Sequence, residues 1–337
     1  MKAVRVHGPS DLRIDDIEPP VPGPRDVVVR TAVAGICGSD ITFTRIGGVA
    51  APQKEPFGLG HELAGTVASV GVDVVGIAPG DRVTVNPMGD GNAIGNGVPE
   101  GAFAPLLLVQ NATLGGSIYR LPDSVSFEHA ALIEPLSVAL HAVRRSDVQQ
   151  DDSVVVFGAG PIGLGIVALL HQRGVREITV ADMSNSRLQR ACRLGATQTV
   201  NPAEGDTFDL LAAALGSGSV FGWPTINARL WFEVTGSAEV LQSIVAMAPS
   251  RARMLVVAVH HTPVPVDFQM ALAKELDFSM SLAYPEEFPE VLALLASGKL
   301  DVSAMISHRL PSKDFFAAFA LAQDKDASAK VLVDFND

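Results

Sequence analysis

The feature that most restricts the fold of this chain is a glycine-spaced turn between a strand pattern and a helix pattern. Apolar residues predict a strand at Val154–Phe157 and a helix at Ile162–Gln172, and the turn between them reads Gly158-Ala159-Gly160-Pro161-Ile162-Gly163. Here the first glycine permits a tight turn, the second lets the backbone approach a pyrophosphate, and the third allows close packing of helix on strand. The helix N-terminus then faces the phosphates. The spacing predicts a dinucleotide site, although a plain strand-to-helix turn would also satisfy it.

The same alternation of strand and helix patterns continues along the chain. The further segments are Glu177–Ala181, Ser184–Leu194, Arg229–Val234, Ala238–Met247 and Met254–Val259. Such alternation indicates a parallel sheet covered by helices. Leu215–Ala228 is rich in glycine and shows no clear period, so we predict a connection without regular structure there.

An acidic residue at the end of the second strand of this unit favours NAD as the nucleotide. Asp182 lies 22 residues after Gly160, where a carboxylate can accept hydrogen bonds from both ribose hydroxyls and would repel a 2′-phosphate. Arg187 keeps NADP open, because a guanidinium could bind that phosphate. Asp182 could also act only as a cap for the helix that follows.

Length and composition place this unit in a larger, two-domain chain. A chain of 337 residues exceeds the usual size of a single core. Residues 1 to about 140 are rich in Gly, Pro and short strand patterns such as Asp26–Arg30 and Gly65–Val70, which predict a mostly β domain. Two helix patterns and a closing strand at Lys330–Phe335 follow residue 283.

Charge and hydropathy restrict the partners of the protein. The net charge is −12, and the acidic residues are scattered, so nucleic acid and anionic membranes are not expected partners. No apolar run of about 18 residues and no leader-like N-terminus are evident, which predicts a cytoplasmic protein. Two cysteines, Cys37 and Cys192, exclude a disulfide framework and a four-cysteine metal site within one chain.

Three further motifs give the chain its resemblance to a known family. They are Gly35-Ile36-Cys37-Gly38-Ser39-Asp40, Gly60-His61-Glu62-Leu63-Ala64-Gly65 and Ile133-Glu134-Pro135-Leu136. With these motifs, and with Gly80–Val83, Phe232–Gly236, Lys274–Leu276 and Lys330–Val333 in the same order, the chain resembles the medium-chain, zinc-dependent alcohol dehydrogenases over nearly its whole length. It is most similar to the polyol branch of sorbitol, butanediol and L-idonate dehydrogenases. Glu134–Ala142 and Asp324–Val331 resemble L-idonate 5-dehydrogenase in particular.

The resemblance implies both the architecture and the reaction. It implies an α/β protein with a GroES-like, mostly β catalytic domain over residues 1–140 and 281–337, and a doubly wound Rossmann domain over residues 141–280. It also implies an NAD-dependent oxidation of a secondary alcohol, in a polyol or sugar acid, to a ketone. A homo-oligomer, either a dimer or a tetramer, is expected.

Carried over residue by residue, the resemblance implies a catalytic zinc site. Cys37, His61 and Glu62 would be its ligands, and Glu134 would bind the ion directly or through water. A thiolate, an imidazole and a carboxylate form a donor set that suits tetrahedral Zn²⁺ with one open position. Each residue alone also has an ordinary structural explanation, as a buried thiol or a satisfied histidine.

The motif around Cys37 carries the other expected roles. Ser39 would contact the substrate oxygen and pass its proton outward, since a hydroxyl can donate and accept at once. Asp40 would order the backbone of the ligand loop. Thr42 stands where a relay histidine is common in the family, which leaves the outer proton route open. The segment from Thr84 to Asn111 lacks the four cysteines of a structural zinc lobe, so one zinc per subunit is expected.

The sequence leaves several functions open. Arg45 and Lys54 lie between Cys37 and His61 and could pair with a substrate carboxylate, which favours L-idonate-like sugar acids over neutral polyols such as sorbitol or 2,3-butanediol. Both could equally be solvated surface charges. A zinc-free quinone or enone reductase and a non-catalytic dinucleotide-binding protein also stay open, because fold alone does not fix function.

Overall fold

The computed structural model describes residues 1–336. Its strands are β1 Lys2–Gly8, β2 Asp11–Asp16, β3 Val27–Gly35, β4 Phe57–Gly58, β5 Glu62–Val70, β6 Arg82–Val85, β7 Leu106–Val109, β8 Ile118–Arg120, β9 Ser153–Phe157, β10 Glu177–Ala181, β11 Gln198–Val200, β12 Ser217–Val220, β13 Trp223–Ile226, β14 Leu230–Glu233, β15 Arg253–Val256, β16 Asp277–Met280, β17 Ile306–Pro311 and β18 Lys330–Asp334. Its α-helices are α1 Gly38–Ile46, α2 Phe127–Ala130, α3 Ile133–Arg145, α4 Pro161–Gln172, α5 Asn185–Arg193, α6 Thr207–Leu215, α7 Ala238–Met247, α8 Phe268–Ala273, α9 Phe288–Ala296 and α10 Phe315–Gln323.

A six-stranded parallel sheet forms the centre of the second half of the chain. Its strand order is β11-β10-β9-β14-β15-β16. All five residues of β9 are buried, as expected of a strand covered on both faces. The chain runs outward in one direction from β9 and in the other direction from β14, so the crevice at the carboxyl ends of these two strands is the switch point at which such sheets bind ligands. This confirms the Rossmann fold.

A second, mostly antiparallel sheet is built from both ends of the sequence. Its order is β17-β18-β3-β5-β6-β8, with β7 also paired to β3. The closing strand β18 runs antiparallel to β3, with Leu332 opposite Gly35 and Val333 opposite Ala34. This pairing brings the first residue of β18, Lys330, beside segments that lie about 300 residues earlier in the sequence. The mostly β, GroES-like fold is confirmed.

The helix α3 joins the two parts of the molecule. Leu136, Ala139 and Leu140 of α3 share one core with residues of α4. A side chain at Gly165 of α4 would place its Cβ only 3.0 Å from Cβ of Ala139, so the two helices pack closely. The acidic residue in the first turn of α3, Glu134, therefore lies at the border between the two sheets' domains.

One sequence expectation about secondary structure was wrong. The segment predicted as an irregular connection forms the hairpin of β12 and β13, in which Val220 pairs with Trp223. Its turn residues, Phe221 and Gly222, both have positive φ angles of 51° and 85°. Phenylalanine rarely adopts this conformation, so the usual Asn-Gly or Asp-Gly signal of such a turn is missing. Strand β17 was not predicted either.

Among the helices of residues 1–336, none has the length and apolar character of a membrane span.

Candidate active site

A buried carboxylate joins the two loops that carry the predicted metal ligands. Cys37 is the N-cap of α1, and Asp40, in the first turn, accepts a hydrogen bond from the Cys37 N–H at 2.8 Å. The second oxygen of Asp40 accepts from the N–H of Gly60 at 3.1 Å. Asp40 is completely buried, so it fixes one loop against the other. This confirms its interpretation as a residue that orders the ligand loop.

The donor atoms of Cys37, His61 and Glu62 lie within 4.8 Å of one another. Ligands held 2.0–2.3 Å from a tetrahedral ion are roughly 3 to 4 Å apart, so this spacing fits a single Zn²⁺ with small adjustments. His61 and Glu62 are buried, whereas Cys37 is partly accessible. Within residues 1–336 no other group of three such side chains converges in this way.

The side chain of Lys330 contacts the carboxylate of Glu62, one of the three predicted metal ligands. Its Nζ donates to both carboxylate oxygens, at 2.7 Å and 2.6 Å, and to the carbonyl of Ile36 at 3.0 Å. Burial opposes the charge of Lys330, but the charge of Glu62 outweighs this and raises the lysine pKa. A carboxylate has about four lone-pair sites, so Glu62 can hold Lys330 and still bind a metal. A Cβ at Gly35 would lie 2.2 Å from a Glu62 oxygen, so glycine is required there.

The importance of Lys330 was not predicted from the sequence, in which it is only the first residue of a closing strand. One sequence pattern could have indicated its role: Lys330 directly precedes the apolar residues Val331–Val333. A lysine in a buried strand needs an anionic partner, so this pattern could have pointed to a buried carboxylate.

Glu134 lies near this cluster but outside the group of three. Burial, together with the charge of Glu62, raises its pKa to about 7, against the opposing charges of His61 and Lys330. The hydroxyl of Tyr284 faces the same carboxyl and lowers its pKa. That hydroxyl is buried and has no partner within strict hydrogen-bonding geometry in the part of the chain described here. Tyr284 was not identified from the sequence.

The neighbours of His61 affect the protonation of its imidazole. Burial opposes its protonation, but the negative charge of Asp40, whose Oδ1 lies 3.5 Å from Nδ1 of His61, outweighs burial and raises the imidazole pKa in the metal-free protein. Because only a neutral imidazole can bind a metal, proton and metal compete for His61. The hydroxyl of Ser39 lies 3.4 Å from Nε2 of His61, which places Ser39 beside the cluster. Thr42 follows Ser39 by three residues on α1, on the same face of the helix.

The glycine-spaced turn has the geometry that a pyrophosphate needs. Gly158 has a φ of 105°, and a Cβ at Gly163 would lie 1.8 Å from the carbonyl oxygen of Gly158. Gly160 is the N-cap of α4 and Pro161 its first residue, so backbone N–H groups of the first turn, including that of Ile162, have no side-chain cap. A Cβ at Gly160 would have no neighbour closer than 3.9 Å, which leaves open space in front of the helix.

Comparison with known proteins identifies the family. Residues 23–122 match the model of the alcohol dehydrogenase GroES-like domain, and residues 161–297 match that of the zinc-binding dehydrogenases. Sorbitol dehydrogenase of Rattus norvegicus is 33% identical over 346 residues, which cover 97% of this chain and 94% of the relative. The chain belongs to the zinc-binding alcohol dehydrogenase family.

Solved structures agree with this zinc-binding alcohol dehydrogenase assignment. The 2R,3R-butanediol dehydrogenase of Bacillus subtilis has a TM-score of 0.87 at 29% identity, with 99% of each chain covered. A short chain alcohol dehydrogenase from Escherichia coli CFT073, complexed with NADH, has a TM-score of 0.86 at 28% identity. A putative zinc-binding dehydrogenase from Sinorhizobium meliloti 1021, bound to NADP, has a TM-score of 0.84 at 26% identity. Both matches cover 99% of each chain. L-idonate 5-dehydrogenase of Escherichia coli K-12 has 0.82 at 24% identity, covering 99% of this chain and 98% of that one, and this shows the fold alone.

Arg45 and Lys54, either of which was predicted to pair with a substrate carboxylate, are both exposed. Arg45 is exposed in the last turn of α1, and Lys54 is exposed in the loop before β4. Neither side chain has a salt bridge or hydrogen bond with another residue of the range 1–336. Their charges are therefore free to act on a solute, but the geometry does not assign them to the site.

Proposed function

We propose that this zinc-dependent alcohol dehydrogenase oxidises a secondary hydroxyl of a polyol with NAD⁺ and uses Cys37, His61 and Glu62 as its zinc ligands. The convergence of these three side chains, with the partly accessible Cys37 thiol among them, is the observation that carries the proposal. When bound there, zinc supplies Lewis-acid polarisation of the substrate oxygen. Glu134 stands near enough to act on the ion electrostatically or through water.

The chain's own residues account for the remaining steps. Ser39, beside His61, accepts the proton of the substrate hydroxyl and passes it outward, and Thr42 offers a second hydroxyl one turn further along α1. Lys330 holds Glu62 in place as an ionised side chain. Asp40 holds Cys37 in position through the backbone, so the ligand geometry exists before the metal binds.

The proposal of NAD⁺ rests on Asp182. Its carboxylate accepts hydrogen bonds from the N–H groups of Ala159 and Ser184, at 2.7 Å and 2.8 Å, which fixes it beside the turn of the glycine motif. A carboxylate held there can bind the ribose hydroxyls and would repel a 2′-phosphate. In the proposed nucleotide site, Gly160, Pro161 and Ile162 would face the pyrophosphate, and Gly158 and Gly163 would shape the turn that holds it.

Neutral polyols are the favoured substrates. A sorbitol dehydrogenase matches nearly the whole chain at 33% identity, whereas the likeness to L-idonate 5-dehydrogenase extends only to the fold. Sugar acids remain the second candidate, because Arg45 and Lys54 are unpaired cations in the segment between two proposed ligands. One zinc per chain, a homo-oligomeric state and a cytoplasmic location remain predictions.

The test is a substrate panel with a metal control. Purified enzyme is assayed for NADH production with sorbitol, 2,3-butanediol and L-idonate, before and after chelation. We expect activity with a polyol that is lost on chelation and restored by Zn²⁺. Activity that survives complete metal removal would contradict the proposal. A preference for L-idonate of about tenfold that Arg45→Met or Lys54→Met abolishes would replace the neutral polyol by the sugar acid.

A further inference from the structure

The loop between the last helix and the last strand, Asp324–Ser328, lies against the nucleotide-binding domain. The Ser186 hydroxyl donates to the carbonyl of Asp326 at 2.8 Å, and Nε of Arg187 donates to the carbonyl of Ser328 at 2.7 Å. Both donors belong to the first turn of α5, which follows the proposed ribose-binding carboxylate. A segment of the catalytic domain therefore contacts the edge of the nucleotide site.

Arg187 is the cation that a 2′-phosphate would need at this edge. Its Nη1 lies 3.9 Å from the position of a Cβ on Gly160, so the guanidinium is next to the glycine turn. It also follows Asp182 by five residues, across the start of α5. However, its Nε is already bonded to Ser328, and the side chain is half-buried under the loop.

The loop also changes the charge around Arg187. Burial lowers the pKa of the guanidinium, while the negative charges of Asp182, Asp326 and Asp324 act in the opposite direction. Two of these three carboxylates come from the loop. An arginine surrounded in this way has little uncompensated positive charge to offer a phosphate.

We propose that the loop Asp324–Ser328 enforces the choice of NAD over NADP, by holding Arg187 with the Ser328 carbonyl and by adding negative charge around Arg187, the cation that a 2′-phosphate would need. The proposal rests on the proposed function, in which Asp182 binds the ribose. It assigns cofactor specificity to a part of the catalytic domain that lies far from the glycine motif in the sequence.

Substitution of aspartate by asparagine isolates the charge. The Asp324 carboxylate accepts hydrogen bonds from the N–H groups of Asp326 and Ala327, both at 3.0 Å, and an asparagine oxygen can accept the same bonds. Both aspartates are exposed, so their replacement does not disturb a core. Asp73 is an exposed aspartate without a side-chain hydrogen bond among residues 1–336, and Asp73→Asn is the matched control.

The experiment measures the dissociation constants of NADH and NADPH by fluorescence titration, and kcat/KM with NAD⁺ and NADP⁺. Wild-type protein should bind NADH at least about tenfold more tightly than NADPH. Asp324→Asn/Asp326→Asn should tighten NADPH binding about three- to tenfold and change NADH binding less than about twofold. Rising salt should shrink this difference, because the carboxylates are exposed. Asp73→Asn should change neither constant.

A third substitution tests whether the effect depends on Arg187. Adding Arg187→Ala to the double variant should remove the gain in NADPH binding, and a gain that survives would overturn the role given to Arg187. If the wild-type protein prefers NADH and the double variant keeps the same ratio, the loop proposal fails while the proposed function stands. If the wild-type protein prefers NADPH, both fail.

Discussion

The buried pair of Lys330 and Glu62 permits a sharp prediction about stability. Lys330→Met removes the ammonium but leaves the Glu62 carboxylate, which has no accessible surface and lies 2.6–2.7 Å from its partner in the native protein. The variant must then bury an uncompensated charge. We expect the metal-free variant to be strongly destabilised.

The size of the stability loss in Lys330→Met follows from two opposing contributions. At an effective dielectric constant of about 20, unit charges 2.6 Å apart attract by roughly 6 kcal/mol. Removing the ammonium also removes its desolvation cost, which offsets part of this loss. Breaking such a pair should therefore cost about 3 to 5 kcal/mol, whereas replacing both members by apolar residues should be nearly neutral.

The assay is a double-mutant cycle. Urea unfolding of chelator-treated wild type, Lys330→Met, Glu62→Leu and the double variant is followed by circular dichroism. The double variant should lie within about 1 to 2 kcal/mol of wild type and well above Lys330→Met. The reasoning is refuted if Lys330→Met costs less than about 1 kcal/mol, or if the double variant is as unstable as the sum of the single variants.

Three further predictions concern the site and the loop that replaces the expected metal lobe. In metal-free protein the folded-state pKa of Glu134, about 7, exceeds its ordinary value of 4.5, so the stabilisation from its extra proton is complete below pH 4.5 and is lost as the pH rises through 7. Between about pH 5 and 8 the free energy of unfolding of wild type should therefore fall by up to about 3 kcal/mol more than that of Glu134→Gln. Glu55→Gln, a control at an exposed glutamate, should behave like wild type. An equal dependence of the free energy of unfolding on pH in all three proteins would contradict this. Tyr284→Phe removes a hydroxyl that lowers the Glu134 pKa, so in metal-free protein this pH-dependent loss should move to higher pH with little change in stability at low pH, and an unchanged or lowered midpoint would argue against the contact. Asp90→Ala removes the acceptor of four donor groups, the N–H and hydroxyl of Thr113 and of Ser117, and should cost about 1 to 2 kcal/mol in calorimetry, discounted because Asp90 is exposed. Asp90→Asn should recover part of the loss, and no loss in Asp90→Ala would show that the loop is held otherwise.

Local motifs account for what could be predicted from the sequence. The turn from Gly158 to Gly163 and the strand ending before Asp182 depend on neighbours within a few residues, so spacing alone located them. The convergence of Cys37 with His61 could be anticipated only through the resemblance, because β3 and β5 must first pair in register.

Contacts across long stretches of chain could not be predicted. The bond between Lys330 and Glu62 spans 268 residues, and it exists because β18 closes the sheet beside β3. The hairpin turn at Phe221 was missed for a different reason, since its left-handed backbone contradicts the preference of the residue that adopts it. Tyr284 lies in an irregular segment between β16 and α9, and no pattern marked its side chain as part of the site.

The most direct test of the central claim combines metal content with turnover. Zinc per chain is measured by elemental analysis for wild type, Cys37→Ser and His61→Ala, and NADH production from a polyol is measured on the same samples before chelation, after it, and after Zn²⁺ is returned. The account predicts about one zinc per wild-type chain, activity that is lost and regained with the metal, and neither metal nor activity in the two variants. Two zinc ions per chain, or full turnover in zinc-free enzyme, would contradict it.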